Sequence, residues 1–484
     1  MHLALCCVVS ATIASFVPGC RGPMHGNQPL QSYEPLAGYR YDNLTPGPRN
    51  TDDVLVCVTF SGGGVRASAL AYGVLQGLRD TKIPPANGGS TPSRLLDEID
   101  VISSVSGGSF TALGYGLERQ GLFDGRFERG FLKQNVQRRL IDFLFSPLHL
   151  LMLPAVSLDR VDVAADYYDK HVFDRKTYGD LLAQGQRPLI VVNATNLASG
   201  QRFQFTQDDF DLLGSDLTSM SVGRVVAASS AFPLLFSPLR LKYYQGPEDS
   251  EGRSALRDVL SDPNADMNDR RRQLWASNLV HEDADPSSPL CHLDETKHKY
   301  LYLLDGGLVD NLGVTYFLQA LRFGHIRRDL DAGKIKKLVV IVVNAANDPP
   351  GEVEDRDAAP GLFAMGLKSG HTTVYNYSST IMDVLRFLLQ EQPRAMQVVR
   401  DRVIARCPEI VDSDIFPMPD VDTYLIEVNF REIPDADERR RFLSMPTTLF
   451  LSNRDIDDLL SIGHQLLLNH PELRRLLADL GAGS

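Results

Sequence analysis

Cysteine is sparse in this 484-residue chain and badly placed for structural chemistry. Its six cysteines (Cys6, Cys7, Cys20, Cys57, Cys291 and Cys407) are scattered and form no C-x-x-C pair, which argues against a zinc site or a disulfide framework. A surplus of basic residues is also missing. The 49 Lys and Arg against 61 Asp and Glu leave a net charge of −12. An acidic chain repels polyanions, which argues against nucleic-acid partners and against electrostatic attraction to an anionic bilayer. No G-x-x-x-x-G-K-[ST] or G-x-G-x-x-G occurs, so nucleotide binding is disfavoured. Long apolar runs are lacking too. The longest candidates, Leu3–Val17 and Ile141–Val156, are short for a membrane span, and the second is interrupted by Pro147 and Pro154. No internal repeat is visible, and no histidine sits in a telling motif.

What remains is an ordinary globular composition, 43% hydrophobic and 23% charged. Residues 53–60 form a nearly continuous apolar run ending in Ser61-Gly62-Gly63-Gly64, as a buried parallel strand followed by a tight turn does. Ala67–Leu78 reads as a helix. Ile99–Val105, Pro188–Asn193, Tyr300–Leu304 and Lys337–Asn344 read as further strands. Helices are expected from Gly107 to about Gln120, over Val222–Phe232 and over Leu312–Arg322. This alternation predicts an α/β fold of three layers, with a mainly parallel central sheet and helices on both faces. Gln245–Lys299 is polar and loop-like and reads as an insertion. Ile141–Val156 is either buried core or a lid that meets lipid. Arg454–Leu480 has helical leucine spacing and reads as one packing helix.

The chain start has its own pattern. Residues 1–20 carry an uncharged apolar stretch ending in Val17-Pro18-Gly19-Cys20. This resembles the bacterial lipobox, in which the cysteine is lipidated. The resemblance implies a signal peptide, lipid attachment at Cys20 and, with Arg21 following, an outer-membrane destination in the bacterial envelope. A plain secretory signal is the alternative. Residues 21–52, rich in Pro, Gly, Asn and Gln, have the composition of a flexible tether. The expected organisation is then a catalytic domain over 53–345, containing the insertion, and a C-terminal extension over 346–484 packed on the core.

Three stretches carry chemistry. In Ser103-Ser104-Val105-Ser106-Gly107-Gly108, an apolar strand precedes and a small-residue helix follows. A nucleophile elbow requires that setting, with small residues two before and two after the serine. Ser106 is the candidate nucleophile, and Ser104 is a rival hydroxyl two residues away. In Gly62-Gly63-Gly64-Val65-Arg66, consecutive glycines after a strand leave backbone N–H groups uncovered, which suits an oxyanion hole. Arg66 is either solvated or meets a carboxylate or an anionic substrate. In Asp305-Gly306-Gly307, an aspartate directly follows an apolar strand, and Asp310 or Asn311 reads as the cap of the next helix.

In this order the three stretches resemble the patatin-like phospholipase family. Its pattern is a triple glycine followed by a basic residue, then G-x-S-x-G, then D-G-G/A. Ala228-Ser229-Ser230-Ala231-Phe232-Pro233 looks like the family segment before the aspartate, and Pro446–Leu460 carries a fainter likeness. Ser104 departs from the pattern, standing where the first glycine is expected. The resemblance implies a lipid acyl-ester hydrolase with a Ser106–Asp305 dyad and an oxyanion hole at Gly62, Gly63 and Gly64. It implies no metal and no cofactor, and a lipid or phospholipid substrate. Two alternatives stay open. One is a Ser-Asp-His hydrolase completed by His325, His371, His464 or His470. The other is a non-catalytic lipid- or protein-binding envelope protein.

Overall fold

The computed structural model describes residues 26–144, 160–244, 299–347, 362–391, 402 and 421–482, apart from 33, 35, 87, 88, 234 and 323. Cys20, most of the 141–156 segment and the 245–299 insertion except Lys299 lie outside the described residues.

Among the described residues, eight strands form the central sheet: β1 (Val54–Phe60), β2 (Ile99–Val105), β3 (Leu189–Asn196), β4 (Arg202–Gln204), β5 (Leu239–Lys242), β6 (Tyr300–Asp305), β7 (Lys337–Asn344) and β8 (Asp422–Asn429). Their spatial order is β8-β7-β1-β2-β3-β6-β5, with β4 also paired to β3. The run from β8 to β3 is parallel, whereas β4, β5 and β6 pair antiparallel. Every residue of β1, β2 and β3 is buried. Successive side chains of a strand point to opposite faces, so both faces of the sheet are covered. Among the covering helices are α1 (Gly64–Asp80), α2 (Gly107–Glu118), α3 (Val222–Ser229), α4 (Val314–Arg322), α5 (Asn453–Asn469) and α6 (Pro471–Asp479). The expected three-layer α/β architecture, mainly parallel, is the one observed.

Register explains how distant residues meet. β2 ends with Val105 opposite Asn193 of β3. Strand β6 approaches from the other direction and stops with Asp305 opposite Ala194. The two strand ends therefore converge on neighbouring levels of β3, and Asp305 reaches the turn after β2 head-on.

Three expectations need correction. Residues 26–52 are no flexible tether. Asn27 is fully buried and exchanges hydrogen bonds with the backbone of Lys242 at 2.9 and 3.0 Å. Gln28–Pro29 pairs with Ser215–Asp216. Tyr39, Tyr41 and Leu44 are core residues. Polar, proline-rich composition suits an extended strap as well as a loose linker, and the aromatic anchors decide between them. The C-terminal extension does more than pack on the core, because its strand β8 joins the sheet beside β7. The expected helix over 454–480 is two helices, broken where His470 precedes Pro471. Proline biases the residue before it away from helical geometry. Helices α1 and α5 approach closely: a side chain at Gly73 would strike the Leu460 backbone, and one at Gly463 the Leu70 backbone.

Candidate active site

Ser106 occupies the turn between β2 and α2 with φ 49° and ψ −119°. A non-glycine residue there is strained and persists only when its surroundings hold it. The holding contacts are specific. The Ser106 amide donates to Ser229 Oγ at 2.8 Å, and Ser229 Oγ donates to the Asn193 carbonyl at 2.7 Å. The flanking glycines are steric necessities: a side chain at Gly107 would collide with the Gly64 backbone, and one at Gly108 with Phe60 and Ser61.

The Ser106 hydroxyl donates to Asp305 Oδ2 at 2.9 Å. The other carboxylate oxygen, Oδ1, accepts the Gly307 amide at 2.8 Å. Thr195 Oγ1 holds the Asp305 carbonyl at 2.7 Å, and the Gly306 amide donates to the Ser229 carbonyl at 3.1 Å. Ser229 thus grips both the serine turn and the aspartate turn. Only the segment containing it stood out in the sequence, by its family likeness. Burial pushes the Asp305 carboxyl up to about 6, against the lowering effect of its bonds from Gly307 and Ser106. A carboxylate raised toward neutrality is a better proton acceptor than an ordinary aspartate.

The glycine loop lies directly over the elbow. Gly63 and Gly64 have φ of 141° and 62°, which favours glycine. Their amides have no acceptor among the described residues, and they sit where α1 begins, beside the start of α2. Two helix N-termini therefore meet at Ser106, a setting that favours developing negative charge. Gly62 does not belong to this donor set, because its amide is spent on the Asn311 carbonyl at 2.9 Å.

Arg66 is neither solvated nor free to meet an anionic substrate. It is almost fully buried. Its Nε donates to the Ala345 carbonyl at 3.0 Å, Nη1 to the Met445 carbonyl and Nη2 to Thr447 Oγ1 at 3.1 Å. Burial lowers its pKa to about 10. The adjacent Val65 amide donates to the Thr448 carbonyl at 2.9 Å, and Thr448 also blocks any side chain at Gly64. The segment 445–448 therefore roofs the glycine loop, and Arg66 is its clasp.

The remaining candidates fall elsewhere. Ser104 is fully buried and points its hydroxyl at the Val191 carbonyl, 3.3 Å away. Asp310 caps α4, accepting the Val314 and Thr315 amides at 3.3 and 2.9 Å. His464 pairs with Asp80 at 3.3 Å, His470 accepts the Glu472 amide at 3.2 Å, and His325 stacks on Tyr41 at 3.8 Å between ring centres. The His371 side chain lies outside the described set. Among the described side chains no histidine reaches Asp305.

Comparison with known proteins adds the following. Among solved structures, human GIVD cytosolic phospholipase A2 is 14% identical, with 89% of this chain and 63% of that one covered and a TM-score of 0.43. This chain thus spans less than two thirds of the human enzyme's length. The same human enzyme in complex with methyl gamma-linolenyl fluorophosphonate matches at 14% identity, covering 89% and 59%, with a TM-score of 0.41. VipD from Legionella pneumophila is 12% identical over 97% of this chain and 73% of that one, with a TM-score of 0.30. No curated protein matches. The patatin-like phospholipase family matches residues 58–318, more than half of the chain and all three glycine-flanked motifs, and the chain belongs to that family.

Proposed function

We propose that this member of a lipid acyl hydrolase family cleaves lipid carboxylic esters through a Ser106–Asp305 dyad, as a phospholipase A or lysophospholipase does. The observation that carries the reading is the pairing of a strained serine with a raised aspartate 2.9 Å away, under a loop of unspent amides. Ser106 Oγ attacks the ester carbonyl carbon as its proton passes to Asp305. The carbonyl π pair moves onto oxygen, facing the Gly63 and Gly64 amides. Collapse expels the alcohol, which takes the proton from Asp305 and leaves an acyl-serine. Water then adds, Asp305 accepting its proton, and the fatty acid leaves as Ser106 is regenerated. Burial supplies the basicity that a histidine supplies in triads.

Incubating purified wild type and Ser106→Ala with a panel of phospholipids, lysophospholipids and glycerides, with released fatty acid measured, tests this. Release by wild type and none by the variant supports the reading; equal release by both overturns it.

Membrane attachment through Cys20 is part of the same proposal. Only six residues separate Cys20 from the buried Asn27, a reach of about 24 Å at full extension. An anchored enzyme would lie close against its bilayer, and mass spectrometry of the mature N-terminus decides whether Cys20 is acylated.

A further inference from the structure

Loss of Gly62 from the donor set leaves a question about what faces the ester on that side. The residue that consumes the Gly62 amide is Asn311, through its backbone carbonyl. The Asn311 side chain is separate from that bond. It is half-buried and has no hydrogen-bond partner among the described residues, unlike Asp310 beside it, which is fully engaged as a cap. Its position is defined by the two glycine turns. Asn311 Oδ1 lies 2.5 Å from where a Gly62 Cβ would stand, and that point is 3.4 Å from Ser106 Cβ. Oδ1 also lies 2.8 Å from where a Gly307 Cβ would stand, and that point is 3.1 Å from Asp305 Oδ1. The amide therefore sits within two contact distances of both dyad members, in the space that side chains at Gly62 and Gly307 would otherwise fill.

We propose that the Asn311 side-chain amide is a further catalytic group, donating an N–H to the ester oxygen that gains charge when Ser106 attacks. It replaces the donor that Gly62 gives up. An amide suits the place for two reasons. Oδ1 is the atom that stands toward the dyad, and a half-turn of the amide, which no hydrogen bond among the described residues opposes, puts Nδ2 in its place; the group then offers two N–H donors yet no charge, so it stabilises an oxyanion without attracting Asp305 into an ion pair. Its backbone carbonyl pins the residue to the glycine loop, so the donor is held in place before the reaction. A carboxylate at this position would repel the Asp305 charge and raise the aspartate's pKa further.

The inference rests on the Ser106–Asp305 reading, and the test separates the two. Wild type, Ser106→Ala, Asn311→Ala and Asn311→Asp are compared for fluorophosphonate labelling, for turnover of a soluble p-nitrophenyl ester across pH, and for melting temperature. Labelling that persists in Ser106→Ala overturns the underlying reading itself. With Ser106 established, Asn311→Ala should lose about 10²-fold in kcat, in the range seen when one oxyanion donor is removed. Its KM should stay near wild type, and so should its melting temperature, since the Gly62 bond is to backbone. Asn311→Asp, nearly identical in shape, should shift the rising limb of the pH–rate profile to higher pH. A kcat for Asn311→Ala within a few fold of wild type overturns the proposal. So does a loss that only follows a fall in melting temperature, or an unmoved profile in Asn311→Asp.

Discussion

The serine turn and the glycine loop face each other across the site, and they are held in opposite ways. The turn at Ser106 is fixed from within the family core, by Ser229 on α3 and Asp305 at the end of β6. The loop at Gly63 and Gly64 is fixed from far down the chain, by Thr448 above Val65 and by the Arg66 clasp on Met445 and Thr447. The proposed nucleophile thus depends on strand register, and the proposed oxyanion donors depend on the C-terminal segment. A part that the family match leaves out, within residues 319–484, supplies the roof of the glycine loop.

The comparison can be broken first on the serine side. Asp305→Asn should lower kcat by roughly 10⁴-fold, as loss of a base partner does in serine hydrolases. It should not lower stability. The folded pKa of about 6 lies above the ordinary value of 3.8, so the stability this group contributes is fully present below pH 3.8 and lost as pH rises through about 6. At neutral pH the buried charge costs up to about 3 kcal/mol. The asparagine variant should therefore melt at or above wild type at pH 7.5, read by calorimetry. In wild type, kcat/KM should climb with pH through about 6 and then level, because the base must be ionised.

On the loop side, Gly64→Ala combines a positive φ with a collision against the Thr448 carbonyl. It should cost about 1–3 kcal/mol in stability and roughly 10²-fold in kcat, because the amides no longer point at the oxyanion. Denaturant melts alongside ester kinetics check both. Arg66→Met leaves the Ala345 carbonyl without its arginine donor and the Met445 carbonyl with only Asn347 Nδ2 at 3.4 Å, and should cost about 1–3 kcal/mol. The rate ratio between anionic and zwitterionic lipids should stay that of wild type, whereas a substrate-binding arginine would shift it. The smallest effect on rate belongs to Ser229→Ala, which loses the bonds from the Ser106 amide and to the Asn193 carbonyl, each worth about 1 kcal/mol. Ser109 Oγ stands 3.3 Å from Ser229 Oγ, near enough for partial replacement. The variant should lose a few fold in labelling rate with its pH profile unmoved, as measured by timed probe reaction.

The same division governs what could be read from residues alone. Lys337–Asn344 was legible to the residue, because a strand buried on both faces is a nearly continuous apolar run, and Ile99–Val105 was legible from its apolar positions despite Asp100, Ser103 and Ser104. Ser106 and Asp305, which the structure brings to 2.9 Å of each other, stood out because an elbow demands small neighbours and an aspartate at a strand end is unusual. Arg66 was misleading. Its place in a first helical turn says nothing of the carbonyls at 345 and 445 that surround it, contacts spanning hundreds of residues. Gly62 misled for a similar reason: three glycines in a row look equivalent until one amide is seen to be taken by Asn311. The strap over 26–52 was missed because composition reports flexibility only when nothing anchors the chain, and Tyr39 and Tyr41 anchor it.

The central claim is that Ser106, and not its neighbour two residues back, is the nucleophile activated by Asp305. A fluorophosphonate probe, followed by peptide mass spectrometry, tests it most directly on wild type, Ser104→Ala, Ser106→Ala and Asp305→Asn. The account predicts an adduct on Ser106 in wild type and in Ser104→Ala, slow labelling in Asp305→Asn, and none in Ser106→Ala. An adduct on any other residue in folded Ser106→Ala, or labelling at the wild-type rate without the Asp305 carboxylate, would contradict it.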